Sequence, residues 1–324
     1  MNESSPNPLN QLDSVRQARG THNLTAYFRD IAAENRHGAL KLLNEDSLLF
    51  ASLFTLRNAI NELGLRGYLN SRNYNSLLFT DYVLGGKSTK AIINNSLNKN
   101  KILSFLGWMV ESGREEIEQG FDDVIDAAAI NLLKRYKVAA VIPAVTDTIF
   151  ERNRRDAYTY DLIWALFESS NPEVLIKISE RLYSENEKDV ELAQKLLSFI
   201  PGEENTNSRV SSKTDWIKEN YSFLYYTGET QHQSCNPQPF AVSREAKYIC
   251  RPISQERGTF PEPLSGKDHK ALTHFSALDD HTKELLSDFS SELARCDPEK
   301  WVQWLESPIC EQIIEVARSR GGIL

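Results

Sequence analysis

The apolar residues of this chain recur every three or four positions in many short stretches, and this spacing most constrains what the chain can fold into. Leu24 and Phe28 start the pattern, which continues to Pro201-Gly202. Such spacing places apolar side chains on one face of an α-helix, whereas a half-buried strand alternates. Pro143 falls inside one run, residues 138–150, and should kink or divide it. The pattern therefore predicts a series of short amphipathic helices.

Residues 172–200 resemble one unit of a HEAT or armadillo array. Two predicted helices, each with a single apolar stripe, are separated there by a short polar turn. Two short antiparallel helices bury such stripes only by stacking on neighbouring helices. We therefore predict a mostly α fold. It is an array or irregular bundle of short antiparallel helices, HEAT/armadillo-like, followed by a mixed, loop-rich segment closed by C-terminal helices.

Changes in composition divide the chain into four segments. Residues 1–12 are rich in Ser, Pro and Asn, and we predict a disordered tail there. Residues 13–200 form the predicted helical array or bundle, and the polar residues 201–214 a linker. Residues 215–324 are predicted to form an aromatic-rich domain of helices and loops, with short strands at Phe240–Val242 and at residues 248–253.

The composition excludes several classes of protein. No stretch approaches the ~18 consecutive apolar residues of a membrane span, and the polar N-terminus is unlike a secretory signal. Four cysteines in 324 residues are too few for a disulfide scaffold. We therefore expect a cytoplasmic protein without a membrane span.

Charge is distributed unevenly along the chain, although the total is −8, with 45 acidic and 37 basic residues. Residues 51–110 contain seven bases and two acids, a net +5, and residues 111–200 contain eleven bases and 18 acids, a net −7. Basic side chains interleaved with Asn and Tyr are typical of surfaces that bind a nucleic-acid backbone, and equally of protein–protein rims. The candidate nucleic-acid-binding residues are Arg57, Arg66, Arg72, Lys87, Lys90 and Lys99.

The sequence GGKST at residues 85–89 ends like the phosphate-binding loop of an NTPase. The full motif needs a glycine five residues before Gly86, and Asp81 occupies that position. A carboxylate there repels a phosphate group, so we interpret the segment as a loop between two helices.

All four cysteines and four of the six histidines lie after residue 231. His232 and Cys235 form a close pair, and Cys250 could join them across a hairpin. Structural zinc takes four such ligands, so these three residues are the candidate metal ligands and zinc is the candidate cofactor. The chain has no Cys-x-x-Cys pair, however, and free cysteines are commonly buried as small apolar residues. No local signature marks a catalytic cysteine or histidine, so we assign no catalytic residue.

Aromatic residues supply the candidate protein-binding positions. Five lie within residues 215–226, and two tryptophans share one face of a predicted C-terminal helix. Trp and Tyr are frequent anchors of protein interfaces, and they also hold irregular segments in place. The candidates are Trp216, Tyr221, Tyr225, Tyr226, Trp301 and Trp304.

Helical arrays without a cofactor motif usually present an extended surface to another macromolecule. The leading hypothesis is therefore a non-enzymatic protein–protein interaction, scaffold or adaptor protein whose partner is a protein. One alternative is a nucleic-acid-binding protein that uses the basic face of residues 57–101. Another is an enzyme or a zinc-stapled module in the Cys/His-containing C-terminal part.

Overall fold

The computed structural model describes residues 9–89, 98–201, 206–230, 233–234 and 236–319. These residues form sixteen α-helices and one two-stranded sheet, so the chain is mostly α, as predicted. In the described ranges no helix combines the length and the apolar character that a membrane crossing requires. Two compact units divide between Ser169 and Ser170, whereas the composition places the division at residues 201–214. A regular HEAT-like repeat stays a prediction.

The N-terminal unit contains short helices joined by tight turns. They are α1 (Gln11–Glu34), α2 (Arg36–Leu43), α3 (Phe50–Glu62), α4 (Ser71–Leu84), α5 (Lys99–Glu111), α6 (Phe121–Ile130), α7 (Ile142–Arg154) and α8 (Tyr160–Glu168). Short 3-10 turns occur at Arg66–Tyr68 and Ala139–Val141, and a π-helix at Asn131–Arg135 continues α6.

Glycine and proline set where two of these helices break. Gly20 has a φ of +83° and kinks α1, in a backbone conformation that residues with a side chain disfavour. Pro143 lies in the first turn of α7, directly after the turn at Ala139–Val141. Because proline lacks an N–H, it fits the start of a helix better than its interior. The run predicted to kink or divide at Pro143 is an α-helix only from Ile142 onward, with the 3-10 turn before it.

Aromatic rings from three helices form the core of the N-terminal unit. Phe50 and Phe54, one turn apart on α3, pack against Phe121 of α6 at ring-centroid distances of 5.8 and 5.1 Å. Trp108 of α5 contacts Phe50 edge-on at 5.6 Å. The first seven residues of α3 are all buried, so α3 is a central helix of this unit. Full burial of one such side chain contributes roughly 1.5–3 kcal/mol.

A buried polar network joins α1 to the start of α3. The Asp13 carboxylate accepts hydrogen bonds from the Leu49 N–H at 2.9 Å and the Ser52 hydroxyl at 2.5 Å, and Arg16 donates to Ser52 at 2.8 Å. Arg16 also pairs with Glu115. Burial raises the pKa of Asp13, while the hydrogen bonds to its carboxylate act in the opposite direction. Since every member has a partner, we interpret this network as structural.

The C-terminal unit combines helices with one β-hairpin. Its helices are α9 (Glu173–Glu180), α10 (Glu187–Leu196), α11 (Thr206–Asn220), α12 (Arg244–Tyr248), α13 (Gly266–Ser276), α14 (Asp280–Cys296), α15 (Pro298–Glu306) and α16 (Ile309–Ser319). Strands β1 (Leu224–Tyr226) and β2 (Phe240–Val242) pair antiparallel, with Tyr225 opposite Ala241. The predicted strand at Phe240–Val242 is confirmed.

The second predicted strand, at residues 248–253, is wrong. Ser243 caps the short helix α12 by accepting a hydrogen bond from the Ala246 N–H at 3.2 Å. The helix then buries Ala246 and Tyr248, and Cys250 follows in the left-handed region with a φ of +51°. A capped helix start therefore outweighs the β preference of the aromatic and β-branched residues in this segment.

The predicted linker at residues 201–214 also differs from the structure, because α11 begins at Thr206. The Lys213 ammonium donates hydrogen bonds to the carbonyl oxygens of Leu197 at 2.6 Å and Ile200 at 2.9 Å, and Ile217 is buried. These contacts hold a helix whose own sequence is strongly polar. At the other end of the chain, residues 1–8 of the predicted tail lie outside the described residues, and Leu12 is already buried in α1.

Tyr248 lies at the centre of the C-terminal core. Its ring stacks on Phe275 with centroids 4.2 Å apart and meets Trp304 at 6.0 Å. Its hydroxyl donates to Gln312 at 2.8 Å, and burial raises the pKa of Tyr248 to about 12 because a phenolate is disfavoured there. These contacts dock α13, α15 and α16 around one aromatic ring.

Candidate functional site

The C-terminal unit carries an open groove with a volume of about 1160 Å³. The end of α11, the β-hairpin, α12 and one face of α14 bound it. Small-molecule sites usually occupy roughly 300–1,000 Å³. An open groove of this size is better suited to a segment of polypeptide.

Aromatic side chains line part of the groove. They include Trp216 from α11, Tyr225 from β1 and Phe240 from β2. Gly258 lies against the Tyr225 ring, since a Cβ at this glycine would be 2.8 Å from the ring carbon Cδ2. Its φ of +65° also favours glycine. The absence of a side chain at residue 258 therefore sets the position of the Tyr225 ring.

A polar face of α14 also lines the groove. Its charged residues are Asp280, Lys283, Glu284, Asp288, Glu292 and Arg295. Arg244 of α12 pairs with Asp280 at 3.2 Å and Glu284 at 3.4 Å, and Lys247 pairs with Asp288 at 2.6 Å. With Glu245 of α12 and with Lys218 and Glu219 of α11, the groove lining comprises six acids and five bases, a net −1. The charges therefore nearly balance, and the groove does not favour a phosphate.

The Lys247 ammonium connects three of the elements that form the groove. Its side chain is 8% exposed, and it donates to Asn220 at 2.7 Å as well as to Asp288. The Asn220 amide donates in turn to the carbonyl oxygen of Trp216 at 2.8 Å. A buried charge needs such partners, and these bonds fix α11, α12 and α14 relative to one another.

The groove brings together two of the six aromatic residues predicted to bind protein. Trp216 and Tyr225 line it, both half-buried. Tyr226, next in the strand, packs instead against Phe240 with ring centroids 6.1 Å apart. Tyr221 precedes β1, and burial raises the pKa of its hydroxyl.

The two C-terminal tryptophans lie away from the groove. Trp301 donates its indole N–H to the Ser290 hydroxyl at 2.8 Å and lines a separate cavity. Trp304 is 3% exposed and belongs to the core. The structure therefore assigns Trp304 a packing role.

Two of the predicted nucleic-acid-binding arginines are paired with carboxylates of the N-terminal unit. Arg57 pairs with Glu118, and Arg66 pairs with Asp81 at 2.6 Å. Their side chains are 17% and 24% exposed. A guanidinium that already holds a carboxylate is a weaker partner for a phosphate.

The remaining members of the predicted basic face differ in their exposure. Arg72 donates to the carbonyl oxygen of Asp46 at 3.1 Å and lies 4.1 Å over the Trp108 ring, and burial lowers its pKa. Lys87 and Lys99 are exposed. Lys90 lies outside the described residues. The described part of residues 57–101 therefore offers three exposed lysines, Lys87, Lys99 and Lys101, and the nucleic-acid alternative stays a prediction.

The GGKST segment forms the end of α4. Gly86 has a φ of +63°, and the Lys87 N–H donates to the carbonyl oxygen of Tyr82 at 2.8 Å. This geometry terminates a helix, and it agrees with the interpretation of the segment as a loop.

The predicted zinc ligands are described only in part. His232 and Cys235 lie outside the described residues. The Cys250 thiol donates to the carbonyl oxygen of Lys247 at 3.4 Å, and burial raises its pKa. Such a thiol is a poor nucleophile. Across the ranges that the structure covers, no three His, Cys, Asp or Glu side chains are grouped to hold a metal ion, and the zinc hypothesis stays a prediction.

Comparisons of the chain with protein-family models, curated proteins and solved structures found no match. No relative therefore supplies functional residues for this chain.

Proposed function

We propose that this chain is a non-enzymatic interaction or scaffold protein that binds a segment of a partner protein in the groove of its C-terminal unit. The observation that carries the proposal is that two half-buried aromatic side chains, Trp216 and Tyr225, line the same open groove. Aromatic anchors dominate the binding energy of many protein interfaces. The acidic and basic side chains of α12 and α14, which nearly balance in number, add polar groups that can bond an extended backbone.

The rest of the chain fits the same role. The N-terminal helices would provide a HEAT-like support, and the cysteine content favours a cytoplasmic location. Neither point is needed for the groove to bind a segment.

Selection from a random peptide library displayed on phage tests the proposal while the partner is unidentified. Peptides selected on the full chain are measured by fluorescence polarisation against the wild type, Trp216→Ala and Tyr225→Ala. Loss of an interface anchor should weaken binding by about tenfold or more. Tyr183→Ala is the matched control, since Tyr183 is an aromatic residue of the same unit that is 62% exposed and outside the groove.

A second variant fills the groove instead of removing a packed ring. Ser291 of α14 lines the groove, and Ser291→Tyr should block peptide binding while its melting temperature stays near that of the wild type. If no peptide is selected, or if the selected peptides bind all of these variants equally, the proposed function is wrong.

A further inference from the structure

A second cavity of about 670 Å³ lies in the C-terminal unit and shares no residue with the groove. It is bounded by α13, α15 and the segment that follows α12. Its volume is within the range of small-molecule sites. Trp301 is a predicted protein-binding residue and Cys250 a predicted metal ligand, and both line this cavity.

The lining of the cavity combines an apolar part with a charged rim. Trp301, Leu305 and Ile309 contribute apolar surface, and Tyr248 lies beside them. The polar ends of the two aromatic side chains are already bonded within the protein, Trp301 to Ser290 and Tyr248 to Gln312. These rings therefore favour a ligand with an apolar body.

The charged rim has an excess of positive charge. Two of its bases face acids, because Arg251 pairs with Asp268 at 3.0 Å and Lys267 pairs with Glu306 at 2.5 Å. The rim also contains Lys270 and His274. Three bases against two acids leave a net +1 with the histidine neutral, and +2 when it is protonated.

Lys270 supplies this excess charge, and His274 is an exposed side chain that α13 adds to the rim beside it. They lie four residues apart on α13 and therefore on one face of the helix. Lys270 also acts on Glu306, whose pKa it lowers together with Lys267. The exposed Lys270 ammonium therefore lies at the rim of the cavity.

We propose that this cavity binds a small amphipathic anion, an apolar chain or ring system that carries one carboxylate. The apolar body enters between α13 and α15, and the carboxylate remains at the rim beside Lys270 and His274. Cys250 takes no covalent part, because its thiol is bonded to a backbone carbonyl group. The proposal is independent of the proposed function, since the two sites share no residue.

Isothermal titration of the full chain with decanoate tests this proposal, with decyltrimethylammonium and acetate as comparison ligands. Decanoate should bind, whereas the cationic chain should bind at least about fivefold more weakly and acetate should not bind detectably. Lys270→Glu should reduce the decanoate affinity by about fivefold or more, because it reverses the charge of an exposed residue without removing packed apolar surface. Lys195→Glu is the control, because Lys195 is an exposed lysine of the same unit that lines neither site.

A matched pair of variants tests the apolar part of the lining. Val302 lines the cavity and is 47% exposed, while Ile314 lies outside it and is 48% exposed. Val302→Asp should abolish decanoate binding, and Ile314→Asp should leave it unchanged, with melting temperatures recorded for both. Absent binding, equal binding of the cationic chain, or equal losses in both aspartate variants would overturn the proposal.

Discussion

The ion pair between Arg152 and Asp126 in the N-terminal unit yields the sharpest prediction about stability. Arg152 is fully buried and donates to Asp126 at 2.6 Å. It lies 3.3 Å from Asp122, whose side chain is 41% exposed. Within the described residues the Arg152 Nε has no hydrogen-bond partner. We expect the removal of Asp126 and the removal of Arg152 to lower the free energy of unfolding by different amounts.

Asp126→Ala should be the more damaging change. It leaves a buried guanidinium with only the half-exposed Asp122, and removal of one partner of a buried pair costs about 3–5 kcal/mol. Arg152→Met removes the charge and its unpartnered nitrogen while an apolar side chain of similar length remains. The Asp126 carboxyl can then take up a proton, since burial already raises its pKa to about 6. At pH 7 this proton uptake costs about 1.4 kcal/mol or less.

Urea unfolding followed by circular dichroism at pH 5 and pH 7 compares the variants. Burial raises the pKa of Asp126 from 3.8 to about 6, so the folded state binds the proton more tightly than the unfolded chain. The contribution of this group to stability is therefore largest at acid pH and falls as the pH rises through 4–6, by up to about 3 kcal/mol. Asp126→Asn should lack this pH dependence. A larger loss at pH 7 for Arg152→Met than for Asp126→Ala would refute the reasoning.

Three further predictions concern the C-terminal unit. Gly258→Ala should destabilise the chain by about 1 kcal/mol in urea unfolding, because its φ is positive, and should weaken groove-bound peptides. Leu197→Asp should lower the free energy of unfolding by at least about 2–3 kcal/mol in the same measurement, because Leu197 is fully buried. Leu196→Asp should lower it less, because Leu196 is half-buried. Site-resolved mass spectrometry after brief iodoacetamide treatment at pH 7 should find Cys250 less alkylated than the exposed Cys296.

Local sequence signals predicted those parts of the fold that depend on a few neighbouring residues. Pro143 lies in the first turn of α7 because its own ring disfavours the helix interior, and Phe240–Val242 forms a strand where β-branched and aromatic residues cluster. The helix at Thr206–Asn220 could not be predicted in this way. Its polar sequence is held by Lys213 and Ile217 through contacts that the sequence pattern does not contain.

The sequence predicts only some of the residues that line the groove. Trp216 and Tyr225 are predicted as aromatic anchors, and both line it. Lys247 and Gly258 have no local signature in the sequence, so the pattern does not predict them. A lysine becomes buried only when Asn220 and Asp288 surround it, and Gly258 matters only because the Tyr225 ring lies against it.

The basic segment of residues 51–110 shows why a charge count does not identify a binding surface. Its net charge of +5 includes Arg57, whose carboxylate partner Glu118 lies 61 residues away in the acidic segment. It also includes Arg66, which is paired with Asp81, and Arg72, which is bonded to backbone carbonyl groups. Arginine forms such planar, multiple bonds readily, whereas lysine keeps its hydrated charge at the surface. In a mixed-charge helical protein, exposed lysines are therefore better indicators of an anion-binding face than arginines.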